Sequence, residues 1–443
     1  MRERYVLLGL ARARVPWFRA VGQWAASASL PVEFLRCVSA DEVRARLDTG
    51  RAFSALLVDA DVPGLDRDLV AAARAAGCAV LVVDSLEASR DWRGIGVDAV
   101  LAPVFSRDEL LEVLGACARA VDSAEPDLRP DRTPSVDQPS GRLVAVTGPG
   151  GTGASTTAIA LAQGAAAGHG IPRRNGSADP VPDVLLADLC RRADQAMLHD
   201  ARSLVPGIQE VVEAHRSGTP SAAELREQTF EVPERGYRLL LGLRRPRHWS
   251  ALRPRAVEAA LGGLTRLADL LVVDVEADVE GELETGSVDV EDRHALSRTA
   301  FRRADVVVVV GEPSMKGCFA LVRTLGELLE FGVDATRVLP VVNRAPRTPR
   351  QRAELTTSIA TLLAASADAG GDRLANPLYL PSRKVDEALR DGVGLPAPLP
   401  ALVARAVQAV LDRAAAPAEP VEPEPVPIAP GSLSAFSGPE PTP

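Results

Sequence analysis

Residues Gly148-Pro149-Gly150-Gly151-Thr152-Gly153-Ala154-Ser155-Thr156 carry the most specific chemical pattern in this 443-residue chain. An apolar run, Leu143–Thr147, leads into them, and a helix-forming stretch beginning near Ser155 follows. That context suits phosphate. Glycines let successive backbone amides turn inward around phosphate oxygens, and a helix N-terminus adds the positive end of its dipole. Against the pattern G-x-x-x-x-G-K-[ST], the frame runs from Gly148 through Gly153 to Ser155, whose hydroxyl stands where Mg²⁺ would be liganded. The lysine position holds Ala154 instead. A lysine there puts charge on the β- and γ-phosphates in the transition state, and losing one such contact costs ~10²–10³ in rate. The pattern predicts ATP or ADP with Mg²⁺, held by backbone amides without fast hydrolysis. It leans against an enzyme and leaves residual turnover open.

Drift of lysine to arginine does not explain the gap, because arginine would keep the charge. The only lysines are Lys316 and Lys384, in a chain with 50 lysines and arginines together. Arg191, Arg192 and Lys316 are the candidates to replace the lost cation, and each is equally a solvated loop residue. Two carboxylates end apolar runs, Asp188 after Val184–Ala187 and Asp274 after Leu270–Val273. An aspartate after an apolar strand is common, and by itself it reads equally as a plain strand-end cap. Asp59 ends a third run, Ala55–Asp59, ahead of Val62-Pro63-Gly64. The five cysteines (Cys37, Cys78, Cys117, Cys190, Cys318) show no metal-ligand spacing and are expected to be reduced.

The elements that must position these residues alternate short apolar runs with amphipathic stretches. Runs at Tyr5–Leu10, Val32–Cys37, Ala55–Asp59, Ala79–Asp84 and Ala99–Leu101 predict five βα units over residues 1–121. Ser39 before Asp41-Glu42 and Ser106 before Asp108-Glu109 fit the S-x-x-E capping box. Residues 122–140, rich in Pro, Asp and Ser, predict a linker. From 141 to 414 the alternation resumes, with strands at Leu143–Thr147, Val184–Asp188, Arg238–Leu243, Leu270–Asp274, Asp305–Gly311 and Val338–Asn343. The Pro/Ala/Glu-rich tail, 415–443, is expected to be disordered. The fold class is α/β: two doubly wound parallel-sheet domains, with an aliphatic core since aromatics are only 4%. A net charge of −9 excludes a broadly basic nucleic-acid binder and leaves no clear nucleic-acid surface. No run approaches the ~20 apolar residues that cross a bilayer, and the N-terminus does not read as a signal peptide. A cytoplasmic protein is expected.

The loop, read as Pro149-Gly150-Gly151-Thr152-Gly153-Ala154-Ser155, resembles the deviant phosphate loop KGGxGK[ST] of the MinD/ParA superfamily, with both lysines gone. The resemblance covers 141–414. It implies that Asp188 stands at the family's D-x-D switch, with the second aspartate replaced by Cys190. Asp188 is then the one catalytic candidate. It implies Mg²⁺ near Ser155 and Asp274, and Asn343-Arg344 and Pro381 near the nucleotide base. The segment YLPSRKVDEALRDGVGL is similar to the family's closing stretch after the last strand. The N-terminal five-unit domain resembles a response-regulator receiver with Asp59 as its phosphoacceptor. A receiver's acidic pair reads Gly9-Leu10-Ala11-Arg12 here, and its lysine-proline reads Ala102-Pro103. Asp59 is therefore expected to be inactive, in a pseudo-receiver that docks or dimerises.

A degenerate receiver ahead of a MinD/ParA-like domain is similar to the TadZ/CpaE branch and to actinobacterial septum-site-determining proteins. The resemblance implies a homodimer and partners in division or pilus/secretion machinery. It further implies recruitment to the septum, the pole or the inner membrane face. Two other readings stay open. One is an active ATPase of the ParA/MinD kind cycling on membrane or DNA, and the other a signalling output controlled at Asp59. For the first, the last helix (Leu399, Leu402, Val403, Ala406, Val407, Val410, Leu411) carries an apolar stripe with few cations, so packing on the core is expected.

Overall fold

Strands with apolar residues at every position need cover on both faces, and both sheets of this chain have it. The computed structural model describes residues 5–12, 15–26, 30–48, 51–85, 91–120, 140–170, 182–366 and 373–415. The expected linker and tail, save Ser140 and Ala415, lie outside the described residues.

The first sheet joins β1 (Tyr5–Leu10), β2 (Val32–Cys37), β3 (Ala55–Asp59), β4 (Ala79–Val83) and β5 (Ala99–Leu101), all parallel, in the order β2-β1-β3-β4-β5. β1 sends Tyr5 and Leu7 to one face and Val6, Leu8 and Leu10 to the other. Helices Pro16–Ala26 and Arg107–Cys117 cover the first face, and Ala40–Leu47 and Arg67–Ala75 the second. The Ser106 capping box forms as expected, with Glu109 reaching back to the Ser106 amide at 2.6 Å. At Ser39 only half of it forms. The hydroxyl accepts from the Glu42 amide, while the Glu42 carboxylate takes the Val38 amide instead. Between β4 and β5 the described residues hold a single 3₁₀ turn, Arg93–Ile95, where a full βα unit was expected.

The second sheet holds β6 (Arg142–Thr147), β7 (Val184–Asp188), β8 (Phe230–Val232), β9 (Tyr237–Leu240), β10 (Leu270–Asp274), β11 (Val306–Gly311), β12 (Val338–Ala345) and β13 (Leu378–Pro381). Their order is β13-β12-β11-β6-β10-β7-β9-β8, with only β8–β9 antiparallel. The expected strand Arg238–Leu243 is the shorter β9, continued by one bridge from Leu241 to Gly207. Leu378–Pro381, expected to follow the last strand, is itself the edge strand. The missing N–H of Pro381 is tolerated at an edge. The chain leaves β6 toward β7 on one side and later returns to β11 on the other, so the ends of β6 lie at the topological switch, where open α/β sheets bind ligands.

Helices Ala154–Ala166 and Leu399–Ala415 cover one face of this sheet. Leu399, Val403, Val407 and Val410 of the last helix are buried there, and Leu402 is exposed. Helices Ile208–Ser217, Pro254–Leu267, Ala295–Arg303 and Met315–Glu330 cover the other. No described helix is long and apolar enough to cross a membrane.

Candidate functional site

β6 ends at Thr147, and the glycine loop turns the chain into helix Ala154–Ala166. Gly153 caps that helix at φ 91°, a left-handed conformation that side chains resist, and the Asn343 carboxamide fills the space where its Cβ would stand. Inside the loop the Pro149 carbonyl accepts from the Thr152 hydroxyl at 2.7 Å and from the Thr152 amide at 3.2 Å. Gly150 and Gly151 lie exposed at its rim, while Gly148, Ser155 and Thr156 are half-buried. Ala154 is half-buried too, and packs against the core cluster beneath the loop.

Parallel register brings the two carboxylates together. Asp274 is the Cα partner of Asp188 on one side and of Val146 on the other. Neighbouring strands lie ~4.8 Å apart, so both carboxylates emerge beside the strand that feeds the loop. They are 0% and 2% exposed. Burial and the neighbouring Asp274 carboxylate push Asp188 up, and burial pushes Asp274 up in the same direction. The Ser155 side chain stands beside Asp274 and, with that of Gln195, works against this rise. Asp188 also accepts the Cys190 amide at 3.1 Å.

One ligand atom from each of Asp188, Cys190 and Asp274 lies within 4.8 Å of the other two. The Cys190 thiol points to the Asp274 carbonyl at 3.5 Å, and burial pushes its pKa up, so it stays a thiol. The oxygen donors of Asp188, Asp274 and Ser155 suit a hard cation such as Mg²⁺. Two buried oxygens near this pair, Thr147 Oγ1 at the end of β6 and Gln195 Oε1 at the start of the short helix Gln195–Leu198, have no hydrogen-bond partner. A crowded acid pair with orphaned oxygens beside a helix N-terminus fits a divalent cation together with an anionic phosphate.

Gln195 was not legible in the sequence. It is fully buried; its side chain donates to Asp274 at 2.7 Å and its amide to Asp188 at 2.9 Å. Asn343 was named as a base-facing residue. Here its Nδ2 donates to the Thr152 carbonyl at 2.8 Å, which ties β12 to the loop. Arg344, at φ 53°, is exposed and pairs with Glu312. The expected substitute cations do not reach the loop by any described contact. Arg191 is committed to Glu276 at 2.6 Å and Asp278 at 2.9 Å. Arg192 is exposed, and Lys316 is exposed and makes no ion pair among the described residues.

Asp59 lies elsewhere, at the carboxyl end of β3, beside the switch point of the first sheet. Its carboxylate accepts the Trp17 indole N–H and the Asp61 amide, both at 3.1 Å. It thereby fastens helix Pro16–Ala26 and its own turn.

No family model matches the chain, and no curated protein matches it. Solved structures with a similar course include a ParA family ATPase from Chlorobium tepidum TLS, 15% identical at TM-score 0.42 over 62% of this chain and 99% of that one. The cell division ATPase MinD of Pyrococcus furiosus is 17% identical at TM-score 0.40, covering 62% and 98%. The septum site-determining protein MinD of Pyrococcus horikoshii OT3, complexed with Mg-ADP, is 18% identical at TM-score 0.38, covering 62% and 94%.

Proposed function

We propose that this chain is a spatial organiser of the MinD/ParA type, which binds ATP or ADP with Mg²⁺ weakly or without fast hydrolysis. The observation that carries the reading is the meeting of Ser155, Asp188 and Asp274 beside a glycine loop at the switch point of the sheet. Backbone amides of Gly148, Gly150, Gly151, Thr152, Gly153, Ala154, Ser155 and Thr156 would hold the phosphates. Ser155 and Asp274 would hold the Mg²⁺, and Asn343 and Arg344 would border the base. When bound, Mg²⁺ supplies charge neutralisation across the phosphates. The chain's own residues position and shield. Asp188 keeps the switch loop folded through the Cys190 and Gln195 amides, and Ala154 closes the floor of the loop with a methyl group. With no lysine and with Arg191 committed elsewhere, little cationic charge is left for a transition state.

Such a protein acts by presenting surfaces. Nucleotide would stabilise a face-to-face homodimer, and the N-terminal pseudo-receiver would face a partner from the septum or the pilus/secretion machinery. Met315 and Phe319, one helical turn apart and 90% and 60% exposed, support a protein-facing surface. Residues 1–121 and 141–414 would be the two domains, in a cytoplasmic protein recruited to septum, pole or membrane face.

Calorimetry with ATP and Mg²⁺ beside a phosphate-release assay tests the reading. Binding without release is expected, with Ser155→Ala and Asp274→Ala weakening the Mg²⁺-dependent part roughly 10–100-fold. Release at the rate of lysine-bearing ATPases would return the active cycling ATPase as the better account. Absence of binding would leave the fold without a nucleotide role.

A further inference from the structure

Gln195 places two N–H groups where the proposed function needs a cation. Its backbone amide donates to Asp188 Oδ2 at 2.9 Å. Its Nε2 donates to Asp274 Oδ2 at 2.7 Å and reaches the Ser155 carbonyl at 3.4 Å. All three residues belong to the site already described, and the Gln195 side chain is 0% exposed between them. Its Oε1 is buried without a partner. Packing alone does not account for that arrangement, since a buried acceptor left unmade is expensive and an apolar side chain would avoid the loss. What the carboxamide does gain is a donor against a crowded pair of carboxylates, which like charge and burial otherwise disfavour.

We infer that Gln195 is the metal-free occupant of the divalent-cation position: its N–H groups hold Asp188 and Asp274 until a hard cation of the Mg²⁺ or Mn²⁺ class displaces them. The inference rests on the nucleotide-and-Mg²⁺ reading and assigns that site its competitor. The surrounding contacts make the displacement a conformational event. Gln195 opens the short helix Gln195–Leu198, and its carbonyl is bonded to His199 at 2.7 Å. His199 in turn meets the Tyr237 hydroxyl at 2.7 Å. The buried Arg235 clamps the Leu198, Ala388 and Val393 carbonyls at 3.0–3.3 Å. Withdrawal of Gln195 therefore works against a segment anchored to β9 and to the chain before the last helix, and cation loading is read out along residues 190–201.

The full chain, titrated with Mn²⁺ alone and followed by electron paramagnetic resonance, tests this in wild type, Gln195→Ala and Gln195→Leu. The leucine variant keeps the volume without the donors, so a folding defect of the alanine variant does not decide the outcome. Both variants are expected to bind Mn²⁺ on the order of tenfold more tightly than wild type, as loss of a charge-assisted hydrogen bond implies. In the wild type, hydrogen exchange over 190–201 is expected to speed up at saturating Mn²⁺. Equal or weaker binding by the variants, unchanged exchange, or no Mn²⁺ binding in any of the three overturns the inference. ATP calorimetry on the same proteins separates the two claims. ATP bound alike by all three with the same Mg²⁺ dependence removes Gln195 and spares the nucleotide reading. A gain of Mn²⁺ affinity without ATP binding spares Gln195 and removes the nucleotide reading.

Discussion

Two buried carboxylates at the ends of β7 and β10 set the pH behaviour of the site. Asp188 and Asp274 are both pushed up, so the folded chain binds more protons there than the unfolded chain, whose aspartates titrate near 3.8. Their contribution to stability is greatest below that value and is lost as pH rises through the raised folded pKa. Two histidines, the half-buried His199 and the buried His215, run the other way. Burial pushes His199 and His215 down to about 4 from 6.5, so their contribution is lost as pH falls from 6.5 toward 4. Asp274→Asn removes the like charge beside Asp188. Without metal it should stabilise the fold by about 1–2 kcal/mol at pH 8, with a smaller gain at pH 5, in urea unfolding. A gain that does not change between the two pH values would mean that the pair does not interact. Asp188 and Asp274 were legible because each sits where an apolar run meets a loop, and Ser155 because the glycine frame from Gly148 counts forward to it. Gln195 was not, because nothing periodic marks a residue that returns to the site by the folding of residues 189–194. Arg191 misled for the same reason: its partners, Glu276 and Asp278, follow a strand distant in sequence.

At the scale of elements, the central strands were readable because their unbroken Val, Leu and Ala runs match burial on both faces. The edges were not. β8 has three residues, with Phe230 and Val232 half-buried and Glu231 outside, and it owes its pairing to β9 across the turn closed by Gly236. β13 is read as a strand only once β12 is there to receive it. The helix carrying the loop depends on a contact that the sequence gives no sign of. Gly164 lies so close to the Pro400 carbonyl of the last helix that a Cβ has no room. Gly164→Ala should push the two helices apart and cost about 1–3 kcal/mol, despite alanine's better helix propensity. Thermal unfolding checks it, and a raised Tm would show that the helix crossing has room for a methyl group. Because helix Ala154–Ala166 presents its N-terminus to the site, the same variant should also weaken nucleotide binding more than its stability loss explains.

For the whole molecule, the decisive contact joins the two sheets through helix Arg67–Ala75. Its first residue reaches across with a guanidinium that donates to the His215 carbonyl at 3.1 Å and the Gly218 carbonyl at 3.2 Å, while holding the Gly94 carbonyl of the 3₁₀ turn between β4 and β5 at 2.7 Å. Beside it Asp68 accepts the Arg255 amide at 3.2 Å, at the start of helix Pro254–Leu267. Arg67 thus closes the C-terminal end of one helix of the second sheet, and Asp68 the N-terminal end of another, where their charges suit the helix dipoles. An arginine holding three carbonyls has no carboxylate substitute and no lysine equivalent, since only the guanidinium fork spans them. Arg67→Ala should therefore free the N-terminal unit, at a loss of about 1–3 kcal/mol. In small-angle scattering the radius of gyration should rise, and unfolding should split into two transitions. Nucleotide affinity should stay unchanged, because Arg67 makes no described contact with the loop or with the Asp188–Asp274 pair. An unchanged radius with a single transition would mean that helix packing alone fixes the two sheets. A fall in nucleotide affinity would mean that their contact is coupled to the site.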